Sequence, residues 1–247
     1  MSTPVVDVIA FPAFITITTV TFGGLSGALH ATKRGLDPIG VFTISLLCAV
    51  GGGIIRDVLL QSGVPTFLVN PQFLGLAAVA AVTGFFLAGL VKLVVPLITV
   101  VDTLLIGSWV LLGAERALAY HLGSSAAILL GVITATGGGL IRDLLCGEVP
   151  AMVKPGEWYG LITIIAALFF VGLVRLGLPI GVAEASTMVM AAVLRIAAMR
   201  GNWHTPTAYD LWGDLESRMT AGVEQSIRKR DETLKQNEQV LNDASRD

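Results

Sequence analysis

The stretch GGGIIRDVLL (residues 51–60) decides the reading. Gly51, Gly52 and Gly53 interrupt an apolar run, and Arg56 and Asp57 follow within one turn. The same words return as GGGLIRDLLCGEVP (residues 137–150), with Gly137, Gly138, Gly139, Arg142 and Asp143 in the corresponding places. The offset is constant, since 142 − 56 = 86 and 143 − 57 = 86. It also aligns Gly27-Ala28 with Gly113-Ala114 and Leu36 with Leu122. The chain therefore reads as a duplication.

The surroundings say where such a motif sits. Of the 247 residues, 54% are hydrophobic and only 14% charged, and the mean hydropathy is +0.78. Soluble domains carry roughly 25% charged residues, so this is the composition of a polytopic membrane protein. A membrane helix needs about 20 mostly apolar residues. That template gives seven spans, at about 11–31, 38–61, 73–93, 97–119, 124–146, 157–176 and 179–199. The N-terminus lacks a basic region before its apolar run, so it reads as leading into the first span rather than as a removable signal peptide. The net charge of −2 gives no reason to expect a nucleic-acid partner. Cys48 and Cys146 both fall in apolar segments and read as small hydrophobes.

The expected fold is all-α. A first three-helix repeat covers 11–93, a second covers 97–176, a seventh helix covers 179–199, and a polar tail covers 200–247. Three spans per copy is an odd number, so the second copy enters the membrane from the other side, as an inverted repeat. Lys33, Arg34, Lys92, Lys154, Arg195 and Arg200 then gather on one face, with Arg175 dissenting. By the positive-inside rule this places the N-terminus outside and the tail in the cytoplasm. In the tail, Ile227, Leu234 and Leu241 keep a seven-residue spacing. Two heptads are too few to establish a coiled coil, and a solvated helix or disordered tail is the plainer reading. The seventh helix and the tail are expected to serve assembly.

Glycine inside a helix costs up to about 1 kcal/mol relative to alanine. Three together predict a kink or break in the second and fifth spans, tolerated at membrane depth only against protein or water. Close helix packing through small residues is the alternative, and the same glycines can serve both. An arginine well inside a span costs at least about 2.5–3.5 kcal/mol on insertion scales. Arg56 and Arg142 thus call for partners or for water. Neighbours on a helix point about 100° apart, so the expected pairs run across the repeats, Asp57 with Arg142 and Asp143 with Arg56. Either these ions tie the halves together, or they line a water-filled path between them. Glu115 and Arg116, at the positions of Leu29 and His30 in the first span, are further candidates for the path. Asp102 suits an interface as well as a path, and Glu184 lies in the seventh span without an evident counter-charge.

No P-loop, HExxH, CxxC or GxSxG pattern occurs, so an enzyme reading has little to stand on and no cofactor is expected.

Two GGGxxRD motifs, each closing with Val-Pro (Val64-Pro65 and Val149-Pro150), on this topology resemble the trimeric intracellular cation (TRIC) channel family. Its prokaryotic members were grouped as a duplicated membrane domain and also labelled glycine transporters. The resemblance covers residues 11–199. It implies a homotrimer in the cytoplasmic membrane of a prokaryote, in contact with membrane lipids, with one pore per subunit. The first, second, fourth and fifth spans would form the pore, with gating around the glycines. It implies passage of K+, with Na+ as a second ion. By motif position the family's glycines and Arg-Asp pairs fall on Gly51, Gly52, Gly53, Arg56, Asp57, Gly137, Gly138, Gly139, Arg142 and Asp143. Animal members carry a basic cluster on the fourth span. Here that span offers only Glu115-Arg116, so phosphoinositide dependence does not carry over. The rival reading is a secondary transporter for a small zwitterion such as glycine, its carboxylate held by Arg56 and Arg142.

Overall fold

The computed structural model describes residues 13–87, 91–154, 158–201 and 203, with isolated positions at 209, 212, 213, 220 and 230. The side chains of Ala13 and residues 91–98, including Lys92, and the heptad positions Ile227, Leu234 and Leu241 lie outside that description. The chain divides into two units, residues 1–203 and 204–247.

The first unit is helical among the described residues. Its helices are α1 (Ala13–Lys33), α2 (Pro38–Leu59), α3 (Thr66–Val69), α4 (Pro71–Phe86), α5 (Val91–Ala119), α6 (Ser124–Leu145), α7 (Tyr159–Arg175) and α8 (Ile180–Arg200). Phe14–Lys33, α2, α6 and α8 are long and apolar enough to cross a membrane, while α4 and α7 are shorter apolar helices. At 1.5 Å per residue, α2 and α6 reach about 33 Å and α5 about 43 Å, against a hydrocarbon core of about 30 Å. Most helix ends fall within about two residues of the expected spans, but the boundary between the third and fourth does not: α4 ends at Phe86 rather than 93 and α5 begins at Val91 rather than 97, so Lys92, expected in the turn, lies inside α5. The short α3, in the connection ahead of α4, was not anticipated.

The helix ends follow from local chemistry. α2 starts at Pro38, whose missing N–H costs nothing at a first helical position. Asp37 caps it, accepting from the Gly40 amide at 2.8 Å. α1 ends with Gly35 at φ +70°, and the Leu36 amide turns back to the Ala31 carbonyl. α5 ends the same way 86 residues later, with His121 at φ +55° and Leu122 donating to Ala117. α2 and α6 share a second such closure. Gln61 (φ +49°) and Gly147 (φ +69°) take the left-handed position, while Ser62 and Glu148 donate to the Asp57 and Asp143 carbonyls.

Packing repeats at the same offset. α1 lies on α2 and α4; α5 lies on α6 and α7; α2 meets α6 at the centre, and α8 packs on α5 and α7. A methyl at Gly27 would meet the Ile44 carbonyl and Cys48 Cβ, and one at Gly113 the Leu130 carbonyl and Thr134 Oγ1. These are the same contacts, since 44 + 86 = 130 and 48 + 86 = 134. Large side chains are fully enclosed on both sides, with Ile106, Val110, Leu111, Ile162 and Phe170 on α5 and α7 and Leu29 and Val41 on α1 and α2.

The glycine triplets do not break their helices. α2 and α6 run continuously through Gly51–Gly53 and Gly137–Gly139. The reason lies in the crossing: Gly52 abuts the Thr134 carbonyl and Gly138 the Cys48 carbonyl, so closely that a Cβ at either would overlap the backbone opposite. A missing side chain here brings two helix backbones together.

Candidate functional site

A cavity of about 700 Å³ lies within the first unit, walled by α1, α2, α5 and α6 with contributions from α4, α7 and α8. Of the twelve residues singled out by sequence, ten line it: Gly52, Gly53, Arg56, Asp57, Glu115, Arg116, Gly138, Gly139, Arg142 and Asp143. Gly51 and Gly137 instead pack within the crossing, against Ile141 and against Gly52 and Ile55. Each triplet thus divides its work. The first two glycines hold helix to helix, and Gly53 and Gly139 face space, with only the guanidiniums of Arg56 and Arg142 near by.

The ion pairs are not those expected. Arg56 Nε donates to Asp57 Oδ1 at 2.9 Å, with Nη2 at 2.8 Å from the same oxygen. Arg142 does the same to Asp143, at 2.8 and 2.7 Å. The pairs form between neighbours because the arginine side chain is long enough to curl past the angle between adjacent positions. The second aspartate oxygen is also spoken for. Asp57 Oδ2 accepts from the Thr66 amide at 2.8 Å and Asp143 Oδ2 from the Ala151 amide at 2.9 Å, each just after a Val-Pro. Every carboxylate therefore secures both its arginine and the returning loop, and both are almost wholly buried.

What crosses between the halves is the far end of each arginine. Arg56 Nη1 donates to the Leu112 carbonyl on α5 at 3.1 Å, and Arg142 Nη1 to the Ser26 hydroxyl on α1 at 2.8 Å. Ser26 and Leu112 are equivalent positions, as 112 − 26 = 86. A backbone acceptor serves one side and a side-chain acceptor the other.

Beyond the motif, Glu115 Oε1 and Arg116 Nε are buried with no hydrogen-bond partner among the described residues, as water along the cavity would supply. The Glu184 carboxyl comes to that of Glu115, a neighbour of like sign. His30 Nδ1 lies 2.9 Å from the Ser26 carbonyl, a local helix contact. Cys48 and Cys146 are free and partly buried. Arg175 Nε donates to Ser124 Oγ at 2.8 Å. At the α1 and α6 ends, Arg34 bridges Glu148 at 2.5 Å and holds that carboxyl below the usual glutamate range. Sequence reasoning missed Ser26 and Tyr159 as cavity residues, and left Lys154 and Arg195 among the end charges. The only signal for Ser26 was its spacing of four from His30 and its place opposite Leu112.

The fold and cavity define a helical membrane protein with a charged, glycine-walled interior between two matched helix sets. The family model described as glycine transporter matches residues 13–89 and again 99–175, itself an 86-residue step. A UPF0126 membrane protein of Vibrio cholerae is 32% identical over 184 residues, 74% of this chain and 77% of the relative. The UPF0126 inner membrane protein YadS of Escherichia coli K12 is 33% identical over 188 residues, 74% and 89% of the two. Among solved structures, a TRIC cation channel studied for conductance superposes with TM-score 0.73 at 30% identity, covering 81% of this chain and 97% of that one. The TRIC orthologue from Rhodobacter sphaeroides gives 0.71 at 29%, covering 76% and 97%. The chain belongs to the TRIC family, whose members carry the UPF0126 and glycine-transporter labels, and it is an integral membrane protein.

Proposed function

We propose that the protein is a monovalent cation channel, passing K+ and also Na+, with one path in each subunit of a homotrimer in the inner membrane. The path runs through the cavity between α1, α2, α5 and α6. Gating is movement of α2 against α6 about the glycine crossing. The observation that carries the reading is that cavity, walled by eight of the ten motif residues and by Glu115 and Arg116, whose Oε1 and Nε are buried without a hydrogen-bond partner among the described residues. Likeness at 30% identity to a TRIC cation channel supports it. Arginines beside a cation path oppose cations unless neutralised, and Asp57 and Asp143 supply that neutralisation at hydrogen-bond distance.

In this reading α1 to α4 and α5 to α7 are the two inverted repeats, α8 is the seventh membrane helix, and residues 200–247 are a cytoplasmic tail. The Arg34–Glu148 bridge supports putting the ends of α1 and α6 on one face. With Lys33, Arg34 and Lys154 there, that face is cytoplasmic and the N-terminus is outside.

The test is planar-bilayer recording of purified protein in asymmetric KCl, with Arg142→Ala and Gly139→Leu beside wild type. Unitary currents that reverse near the K+ potential and change in both variants are expected. The family label favours one rival, a glycine carrier using the same arginines. Silent bilayers together with saturable glycine counterflow in liposomes would replace the channel by that carrier.

A further inference from the structure

Four helices surround the cavity as a ring. α1 packs on α2, α2 on α6, α6 on α5 and α5 on α1. Across the ring, α1 and α6 meet only thinly, and α2 and α5 scarcely at all. The two helices at the crossing run antiparallel, since Gly52 faces Thr134 while Gly138 faces Cys48. Arg56 and Arg142 each stand four residues beyond the glycine at the crossing. They therefore lie on opposite sides of it, each about 6 Å along its own helix.

Each arginine spans the ring where the helices themselves do not. Arg142 reaches from α6 to Ser26 on α1, and Arg56 reaches from α2 to Leu112 on α5. All four residues line the cavity. Each guanidinium is held at one side by its own aspartate and bonded at the other to the helix opposite. It is thus a bar across the space, one on either side of the glycine crossing. The bars differ in what receives their far end. Arg56 ends on a backbone carbonyl, which its helix fixes and which is present whatever residue stands at 112. Arg142 ends on a hydroxyl, which turns about a single bond and is lost with a single oxygen.

We infer that Ser26 is a positioning residue of the permeation path, the catch that holds the Arg142 guanidinium across it. The inference rests on the channel reading above and deepens it. α1 is packed on α2 and α6 on α5, so movement of α2 against α6 draws Ser26 away from Arg142 and parts the bond. Asp143 stays with its arginine throughout. The charge of the wall is therefore unchanged, and only the place of the guanidinium differs between closed and open.

The experiment compares wild type, Ser26→Ala, Ser26→Thr and Arg142→Lys as single channels in symmetric KCl, after each is shown to elute at the wild-type oligomeric mass. Alanine removes one oxygen from α1 and is the better helix former, so the helix is kept. A hydrogen bond to a charged group weights an equilibrium by about ten- to a hundredfold. S26A is expected to raise the open-to-closed ratio by about that factor. S26T keeps the hydroxyl and is expected to stay near wild type. A lysine lacks the guanidinium fork that serves Asp143 and Ser26 together. R142K is therefore expected to open as S26A does, and S26A added to R142K to change nothing further. An S26A channel with the wild-type ratio or a lower one overturns the inference. So does an S26T channel that behaves like S26A, a further opening when S26A is added to R142K, or a wild type that conducts without closing. If neither wild type nor S26A carries current, the channel reading falls and this inference with it; current indifferent to Ser26 removes only this one.

Discussion

The glycine triplets allow a prediction that separates neighbouring residues. Gly52→Ala and Gly138→Ala each push a methyl into a backbone carbonyl of the opposing helix, those of Thr134 and Cys48. Backbone cannot move aside as a side-chain end can, so α2 and α6 must part along their crossing. Overpacking of this kind costs about 1–3 kcal/mol, and the better helix propensity of alanine returns up to about 1 kcal/mol. Gly53→Ala and Gly139→Ala meet nothing closer than 3.8 and 3.9 Å, at the guanidiniums of Arg56 and Arg142. They keep the propensity gain. The propensity gain cancels between neighbours, so positions 52 and 53 should differ by the overpacking cost, about 1–3 kcal/mol, as should 138 and 139. For a chain of this size about 1 kcal/mol moves the midpoint by about 2–4 °C, so the apparent melting temperatures in detergent should lie about 2–12 °C apart. Fluorescence-monitored melting at one scan rate reads this directly. Equal midpoints for Gly52→Ala and Gly53→Ala, or a less stable Gly53→Ala, would refute the assignment of the second glycine to the crossing and the third to open space.

Three more expectations come from the same coordinates. Asp57→Ala or Asp143→Ala strands a buried arginine and a loop amide, which should cost about 3–5 kcal/mol; the asparagine variants, which keep an acceptor for the amide, should melt between alanine and wild type. Gln61→Gly and His121→Gly relieve left-handed positions that glycine already holds at the equivalent Gly147 and Gly35, and each should raise stability by up to about 1 kcal/mol in the same melts. For the exposed Arg34–Glu148 bridge, the depressed Glu148 carboxyl means its contribution is complete above the ordinary glutamate range and is lost as pH falls through the lowered value. Glu148→Gln should thus lower the melting temperature slightly at neutral pH and low salt, with no effect below that value or at high salt.

Much of the helical order was legible because membrane burial writes itself as long apolar runs, and the 86-residue step was legible because duplication preserves motif spacing. The short α3 was not, since four residues carry no periodicity. The ion pairs were misassigned for a definite reason. Sequence gives the angle between Arg56 and Asp57 on the helix, but the arginine rotamer and the loop amide that claims the second oxygen are settled by tertiary structure. The glycines were ambiguous between break and crossing until Thr134 and Cys48 were seen opposite them. Asp102 and Arg195 were visible singly as polar residues in apolar runs. Their convergence on the cavity depends on how α5 and α8 lie together, which no spacing within either helix encodes.

The order in which the contacts of each Arg-Asp pair become available has a consequence for how the protein is made. The aspartate that neutralises each arginine is the next residue to leave the ribosome, and the loop amide it also holds follows nine residues later for Asp57 and eight for Asp143. Each helix therefore carries its counter-ion across the translocon and can enter lipid as a neutral segment without waiting for a partner. Only the outer nitrogen of Arg56 must wait, for Leu112 in a helix not yet synthesised, whereas Arg142 finds Ser26 already in place. The first half can thus reside in the bilayer as an intermediate with one unfilled donor, and the second half completes the join as it arrives.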